Sequence, residues 1–357
     1  MQFIKGADVS LTDELEERNA VYYLNGEKKD LFEILKECGI NMVRLRLWNH
    51  PYSEEGEPYG GGCNDLETTI KLAKRVVKNE MQLMLDFHYS DFWADPAKQF
   101  KPKAWVALQG EELERVVYEY TKETLLRLKT EELMPAVVQV GNEITNGFLW
   151  PDGHVENLEQ MARLLKEGIR AVREICPDAK IMLHLDFGTN NELYNKWFSD
   201  IEPYNLDYDI IGMSYYPYWN GSLDLLVENM NDISSRFDKD VIIAETAIGY
   251  TTDNLGCKVA VYSEELEKKT AFTGTKEGQK QFLETLYGKV KQVKNQRGIG
   301  VVYWEPAWLP IPDCAWALPT GCEYMNDKAE LGNSWGNQAL FDADGNANPA
   351  LIHIKNL

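Results

Sequence analysis

Residues 136–145 read AVVQVGNEIT, a short apolar run that ends abruptly in Gly141, Asn142 and Glu143. A valine-rich run of this length is typical of a buried strand. A carboxylate at the end of such a strand is costly to bury unless it is paired. The run therefore predicts a strand whose carboxyl end presents a functional acid, Glu143, with the Asn142 amide beside it.

The same kind of apolar run recurs along the chain and alternates with longer amphipathic segments. Predicted strands lie at 3–9, 41–48, 82–87, 136–140, 180–186, 209–214, 241–245 and 300–304. Predicted helices lie at 29–38, 65–79, 112–128, 158–175, 191–201, 222–237 and 278–296, with a short last helix near 349–354.

Eight strands that alternate with helices are typical of an α/β barrel. An open doubly wound sheet is the alternative, but no GxGxxG phosphate turn follows any predicted strand. We therefore predict one catalytic domain over residues 1–357, a single (β/α)8 TIM barrel. Long loops are expected after strands three, seven and eight, where this fold builds its active site.

The charge balance limits the partners of the protein. The 357 residues include 37 Lys and Arg against 57 Asp and Glu, a formal charge of −20. Nucleic acids and anionic membranes favour basic patches, so neither is expected as a partner, whereas a neutral saccharide is compatible. No run of about 18 apolar residues predicts a transmembrane helix. No signal peptide is visible, so we expect a cytoplasmic protein as the chain stands, or a secreted one if a leader was removed.

Six cysteines are scattered along the chain without a CxxC motif or Cys/His ligand spacing, so a zinc site is not expected. They are Cys38, Cys63, Cys176, Cys257, Cys314 and Cys322. Cys38 and Cys176 fall on apolar helical faces and are predicted to be core thiols. Cys314 and Cys322 could form a disulfide in an exported protein, but reduced thiols are the default expectation.

A second acid, Glu245, stands in the same setting as Glu143. Residues 241–250 read VIIAETAIGY, again an apolar run that ends in a carboxylate. The ends of strands four and seven face each other across the top of a barrel. Two carboxylates in one cleft suit glycoside hydrolysis, one as proton donor and one as nucleophile or base. Asn142 would then contact a sugar hydroxyl; the alternative is that Asn142 and Glu143 only cap the next helix.

Two arginines on the second strand, Arg44 and Arg46, share one face because side chains alternate along a strand. A buried arginine needs an acidic partner. Arg46 lies nearer the strand end, so we predict that it pairs with Glu245 and keeps that carboxylate ionised. Arg44 is expected in a structural ion pair deeper in the barrel.

Polar and aromatic side chains also collect at the other strand ends. His88 is expected to hydrogen-bond a sugar, with a structural histidine as the alternative; no second His lies at metal-ligand spacing. Aromatic rings cover the apolar faces of sugars. The supporting candidates are Trp48, Asp86, His88, Trp93, His184, Asp186, Tyr215, Tyr216, Tyr218, Trp219, Trp304 and Trp308.

Longer motifs resemble those of glycoside hydrolase family 53, the endo-β-1,4-galactanases. They are KGADVS (5–10), NMVRLRLWNHP (41–51), YGGG (59–62), LDFHYSDFWADPAKQ (85–99), VGNEITNGFLWP (140–151), IGMSYYPYW (211–219) and NQALFDADGNANPAL (337–351). The resemblance implies a retaining hydrolase of β-1,4-galactan or galacto-oligosaccharides, with Glu143 as acid/base and Glu245 as nucleophile. It also implies that Tyr215 hydrogen-bonds the nucleophile, that Trp304 floors the subsite of the attacked galactose and that Arg46 lies near Glu245.

The chain departs from this family in two loops. Some bacterial members bind calcium between the loops after strands seven and eight through an Asp/His/Asn cluster. Residues 250–275 contain Asp253 and Asn254 but no such cluster, and Gly336 is not an acid. We therefore expect no cofactor, with calcium as the alternative, although its ligand cluster is not seen in these residues. Because of this departure, the resemblance does not determine the chain-length preference at the far subsites. Two alternatives remain for the whole protein: a related barrel that acts on mannan or cellulose, or a non-catalytic carbohydrate-binding barrel.

Overall fold

The computed structural model describes residues 2–255, 260–311, 314–327 and 332–357. Its strands are β1 Ile4–Asp8, β2 Tyr22–Leu24, β3 Glu27–Lys29, β4 Met42–Leu47, β5 Gln82–Phe87, β6 Val137–Val140, β7 Lys180–Leu185, β8 Ile210–Ser214, β9 Asp240–Glu245 and β10 Gly298–Trp304. Its α-helices are α1 Thr12–Glu17, α2 Leu31–Glu37, α3 Leu66–Lys78, α4 Gly110–Thr130, α5 Leu158–Ile175, α6 Asn191–Ile201, α7 Pro217–Asn220, α8 Leu223–Phe237, α9 Glu264–Glu267, α10 Lys276–Lys291, α11 Pro319–Met325 and α12 Pro349–His353.

Eight parallel strands close into a barrel, so the predicted (β/α)8 architecture is confirmed. The order around the barrel is β1-β4-β5-β6-β7-β8-β9-β10, and β1 pairs with both β4 and β10. The predicted barrel strands end within two residues of those observed, and β5, α5 and α6 coincide with their predictions. Strands that are covered on both faces are apolar almost throughout, so their short apolar runs in the sequence marked their positions accurately.

A short helix and a hairpin, α1 and β2–β3, were not predicted. Both belong to the loop after β1. The hairpin turns at Asn25 and Gly26, whose φ angles are 53° and 82°. Asn-Gly is the dipeptide that best tolerates two positive φ values in a two-residue hairpin turn, so the signal was present in the sequence.

Side chains that face the barrel axis form two layers. The lower layer is apolar and comprises Ile4, Met42, Met84, Val137, Met182, Ile210, Ile242, Ala244 and Val302. Two residues further along four of the strands the interior becomes polar, with Arg44, Asp86, Gln139 and His184, all buried. Residues i and i+2 share one face of a strand, so this polar layer sits directly above the apolar plug and forms the floor of the cavity at the strand ends.

The cysteines behave largely as predicted. Cys38 and Cys176 are buried, and Cys314 and Cys322 are free thiols. Cys257 lies outside the described residues. Across the described part of the chain, no helix has the length and apolar character needed to cross a membrane.

Candidate active site

A cavity of about 900 Å³ opens where the barrel strands end. Glu143, at the end of β6, and Glu245, at the end of β9, both line it, together with the rings of Trp93, Trp219 and Trp304. The structure thus brings together the two carboxylates that the sequence predicted to converge.

Glu143 leaves the barrel wall in an unusual backbone conformation. Its φ is 47°, in the left-handed region that residues other than glycine rarely adopt, and Gly141, two residues earlier, has a φ of 86°. Such strain persists where the surroundings hold it, often at functional sites. Ser214 Oγ donates to Glu143 Oε1 over 2.5 Å. Burial raises the pKa of Glu143 well above its ordinary value, and the negative charges of Glu245 and Asp186 raise it further.

Glu245 is 6 % exposed and receives two donors. Arg44 Nη2 lies 2.9 Å from Oε1, and Tyr216 Oη donates to Oε2 over 3.1 Å. Burial raises the pKa of Glu245 to about 7, although Arg44 and Tyr216 act to lower it. Because a charged donor and a phenol both favour its ionised form, Glu245 is suited to lose its proton before Glu143.

The predicted pairing of Arg46 with Glu245 is wrong, because Arg44 occupies that position. Arg46 Nη1 binds Glu305 Oε1 at 2.6 Å and Asp8 Oδ1 at 3.4 Å. Its guanidinium also stacks over Trp93, 4.5 Å from the ring centroid. Arg46 lies two residues nearer the carboxyl end of β4 than Arg44, beside the ends of β1 and β10. It therefore contacts the aromatic side of the cavity and not Glu245.

The tyrosine expected on Glu245 is also one residue out of place. Tyr215 is buried and its hydroxyl donates to the carbonyl of Gly221 over 2.8 Å. Tyr216, which the sequence singled out only as an aromatic, lines the cavity and binds Glu245. Strand β8 ends at Ser214 and α7 begins at Pro217, so strand alternation no longer determines which tyrosine faces the cavity.

His88 lines the cavity but both of its ring nitrogens have protein partners. Nδ1 accepts from Trp48 Nε1 at 3.2 Å and from the Ala94 amide at 3.1 Å. Nε2 lies 3.0 Å from Asp86 Oδ2. Two donors at Nδ1 place the proton on Nε2, so the geometry favours the structural alternative for His88. Trp48 is fully buried and does not line the cavity; its indole nitrogen donates to His88.

Asn142 is built into the polar layer and still borders the cavity. Its Oδ1 accepts from Arg44 Nη2 at 2.9 Å, and its Nδ2 donates to the Ala94 carbonyl at 2.9 Å. The Nδ2 amide carries a second hydrogen, which the Ala94 carbonyl does not use. His184 Nδ1 lies 3.0 Å from the same Oδ1, so His184 belongs to the floor and does not line the cavity.

Two aspartates of the prediction take different places. Asp86 is fully buried and binds Arg44 Nη2 at 2.8 Å, beneath the cavity. Asp186 lines the cavity and accepts a hydrogen bond from Thr145 Oγ1. Burial raises the pKa of Asp186 to about 6. The negative charge of the ionised Asp186 carboxylate in turn raises the pKa of Glu143.

Aromatic rings form much of the cavity wall. Trp93 and Trp316 stack in parallel with their centroids 4.1 Å apart. Trp304 is 6 % exposed and meets Trp335 edge to face, with centroids 4.7 Å apart, whereas Trp308 is fully buried. Trp219 is 51 % exposed at the rim. Trp316 and Trp335 come from the long loop after β10, whose irregular sequence carried no periodic signal for their placement.

The residues that could hold calcium do not form a ligand cluster within the described ranges. There, no group of three or more His, Cys, Asp or Glu side chains is arranged to hold a metal ion. Asn254 Oδ1 accepts from the Ala260 amide, and Asn337 Nδ2 donates to the carbonyls of Thr251 and Tyr262. Asn254 thus closes a turn within the loop after β9, and Asn337 ties the loop after β10 to that loop.

Comparison with known proteins gives a consistent result. The model of Glycosyl hydrolase family 53 matches residues 4–354. An endo-β-1,4-galactanase of Bacillus subtilis is 37 % identical over 373 residues, covering 98 % of this chain and 84 % of its own. The Ignisphaera aggregans GH53 catalytic domain superposes with a TM-score of 0.94 at 38 % identity, covering 99 % and 96 %. A fungal β-1,4-galactanase structure superposes with a TM-score of 0.82 at 30 % identity and covers all of both chains.

Proposed function

The chain belongs to glycosyl hydrolase family 53, and on that premise we propose that it is a retaining endo-β-1,4-galactanase acting on β-1,4-galactan or galacto-oligosaccharides. The observation that carries the proposal is the unequal pair of carboxylates in one cavity. Glu245 is held by a guanidinium and a phenol, whereas Glu143 is held by a serine and has its pKa raised well above the ordinary value. Such unequal environments support Glu143 as the acid and Glu245 as the nucleophile.

In the first step, the Glu245 carboxylate attacks the anomeric carbon while Glu143 gives its proton to the glycosidic oxygen. The bond from the anomeric carbon to that oxygen breaks, and a galactosyl ester forms on Glu245. Arg44 and Tyr216 hold Glu245 for this attack. The ring of Trp304 floors the attacked sugar, and the second N–H of Asn142 meets a hydroxyl beside the reacting bond, where hydrogen bonds strengthen in the transition state.

In the second step, ionised Glu143 takes a proton from water, and that water attacks the anomeric carbon. The ester bond to Glu245 breaks and the sugar leaves with the β configuration, so Glu143 is protonated again for the next cycle. Glu143, Glu245 and water carry every proton and charge in this scheme. We therefore propose that the reaction needs no cofactor, and that activity is unchanged after treatment with EDTA.

The test is product analysis on β-1,4-galactan, with mannan and cellulose as competing substrates. We expect galacto-oligosaccharides from galactan and proton NMR signals of the β anomer before those of the α anomer. Glu245→Gln and Glu143→Gln should each lower kcat by about a thousandfold or more, while Glu156→Gln, at a side chain that is 90 % exposed, keeps wild-type activity. Cleavage of mannan or cellulose in preference, initial release of the α anomer, or near-normal activity of the Glu245 variant would each contradict the proposal.

A further inference from the structure

Ser214 lies between the proposed acid and a buried histidine. Its Oγ is 2.5 Å from Glu143 Oε1 and 3.0 Å from His184 Nε2. A hydroxyl has one proton, so Ser214 can donate to one of these neighbours and must accept from the other. His184, Ser214 and Glu143 thus form a short hydrogen-bond chain, and the direction of donation along it decides whether Glu143 Oε1 can carry a proton.

The orientation of a neighbouring amide indicates that direction. Arg44 Nε lies 3.1 Å from Gln139 Oε1, and since a guanidinium only donates, this atom is the amide oxygen. Gln139 Nε2 is therefore a donor with two hydrogens, and it lies 3.1 Å from His184 Nδ1, 3.0 Å from Asn142 Oδ1 and 3.1 Å from the Gly141 carbonyl. An N–H directed at Nδ1 needs a lone pair there. In a neutral imidazole the proton then sits on Nε2 and is donated to Ser214.

The opposite tautomer would have to donate from His184 Nδ1 to Asn142 Oδ1, 3.0 Å away. That oxygen already faces Arg44 Nη2 at 2.9 Å and Gln139 Nε2 at 3.0 Å. A carbonyl oxygen has two lone pairs. A donor from His184 Nδ1 would turn Gln139 Nε2 to the Gly141 carbonyl, 3.1 Å away, and Ser214 would then have to donate to His184 Nε2 and leave ionised Glu143 Oε1 without its donor. The Nε2–H tautomer instead gives His184, Ser214 and ionised Glu143 matching partners.

We propose that His184 and Ser214 are positioning residues that confine the catalytic proton of Glu143 to Oε2. His184 Nε2–H donates to Ser214 Oγ, so the Ser214 hydroxyl must donate to Glu143 Oε1. Oε1 is then an acceptor in both steps of the reaction, and Oε2 is the oxygen that exchanges its proton with the leaving group and with water. The inference rests on the proposed function of Glu143 as acid/base.

The charges around this chain are compatible with a neutral His184. Burial lowers the pKa of His184 well below its ordinary value, and the positive charge of Arg44 lowers it further, against the opposing charge of Asp86. The charged and titratable groups that act on His184 are Arg44, Asp86 and His88, and those that act on Glu143 are Glu245, Asp186 and Asp95. A neutral histidine can hold one tautomer throughout the cycle.

Nitrogen-15 NMR of the whole enzyme labelled at histidine tests the direction of the chain. The protein has five histidines, and comparison with His184→Gln assigns the signals of interest. We expect the shift pattern of a neutral imidazole protonated at Nε2, unchanged from pH 5 to pH 8. An imidazole protonated at Nδ1, or one that becomes charged in this range, would overturn the proposal.

Kinetics of Ser214→Ala test the consequence, with Ser234→Ala as the matched control because Ser234 is equally buried and donates only to the Asn231 carbonyl. Loss of the donor should lower kcat on galactan about tenfold to a hundredfold. It should also move the alkaline limb of kcat/KM to higher pH, since Ser214 favours ionised Glu143. Hydrolysis of an aryl β-galactoside with a nitrophenolate leaving group needs little protonation, so kcat on that substrate should fall much less.

Equal losses on the two substrates with an unmoved pH profile would overturn the positioning role. A thermal melt of each variant shows whether the fold is intact. If the wild-type enzyme released no sugar from galactan, the proposed function would fail, while the NMR result would still decide the direction of the chain.

Discussion

Arg44 Nη2 lies 2.9 Å from Glu245 Oε1 at the floor of the cavity. The same guanidinium binds Asp8 at 2.7 Å and Asp86 at 2.8 Å. Three buried carboxylates therefore share one cation. Burial, together with the charges of Asp8 and Asp86, raises the pKa of Glu245 to about 7 despite the opposing effect of Arg44. The ionisation of the proposed nucleophile thus depends on acids beneath it.

Arg44→Lys should impair the enzyme more than Arg46→Lys. Lysine keeps the charge but lacks the planar fork that spans several carboxylates. With weaker support the pKa of Glu245 rises, so the acidic limb of kcat/KM should move to higher pH, and kcat should fall at least about tenfold. Arg46→Lys should leave that limb in place. The measurement is kcat/KM against pH, and equal shifts in both variants would contradict the assignment.

Tyr216→Phe and Tyr215→Phe form a second matched pair. Removing the Tyr216 hydroxyl takes a donor from Glu245, so the acidic limb should again move to higher pH, with kcat about tenfold lower. Tyr215→Phe removes only the bond to the Gly221 carbonyl. It should lower the free energy of unfolding by about 1 kcal/mol and leave the pH profile unchanged. The reverse outcome would restore Tyr215 as the partner of the nucleophile.

Asp186→Asn should shift the alkaline limb to lower pH. The ionised Asp186 carboxylate raises the pKa of Glu143, next in size after burial and Glu245. Without that charge Glu143 loses its proton at lower pH, and the protonated acid is needed for the first step. The control is Asp224→Asn, a side chain that is 75 % exposed. An unmoved alkaline limb would show that Asp186 does not act on Glu143.

Glu305→Gln should flatten the dependence of Tm on pH. Burial raises the pKa of Glu305 to about 8, against the opposing effect of Arg46. Because the folded-state pKa lies above the ordinary value, this stabilising contribution is full below the ordinary pKa and is lost as pH rises towards 8. Glutamine is neutral throughout and has no such loss. Thermal melts from pH 4 to pH 9 measure the two slopes, which should differ; equal slopes would mean that Glu305 does not titrate in this range.

Trp219→Ala should weaken substrate binding without unfolding the protein. Trp219 is 51 % exposed at the cavity rim, where a ring can cover a sugar face. We expect KM on galactan to rise about threefold to tenfold, the effect of losing roughly 1 kcal/mol of ring contact, with Tm within a few degrees. Leu225→Ala, at a residue that is 50 % exposed, is the control. An unchanged KM would remove Trp219 from the substrate path.

The sequence alone located every barrel strand and both glutamates at the strand ends. The reason is local: a buried parallel strand is a short apolar run, and a carboxylate at its end interrupts the pattern visibly. The Asn25–Gly26 hairpin could also have been found this way. The order of the strands then placed Glu143 and Glu245 around one cavity at the carboxyl end of the barrel.

Only the tertiary structure decided which neighbours serve those glutamates. Arg44 and Arg46 share one face of β4, so alternation could not rank them; depth along the barrel axis brings Arg44 to Glu245. The register of β8 against β9 shifts between Met213 and Ser214, so strand pairing could not place Tyr215 and Tyr216. Apolar periodicity depends on residues that are neighbours in the chain. Which buried charge a side chain contacts depends instead on the tilt, register and depth of strands that are distant in sequence.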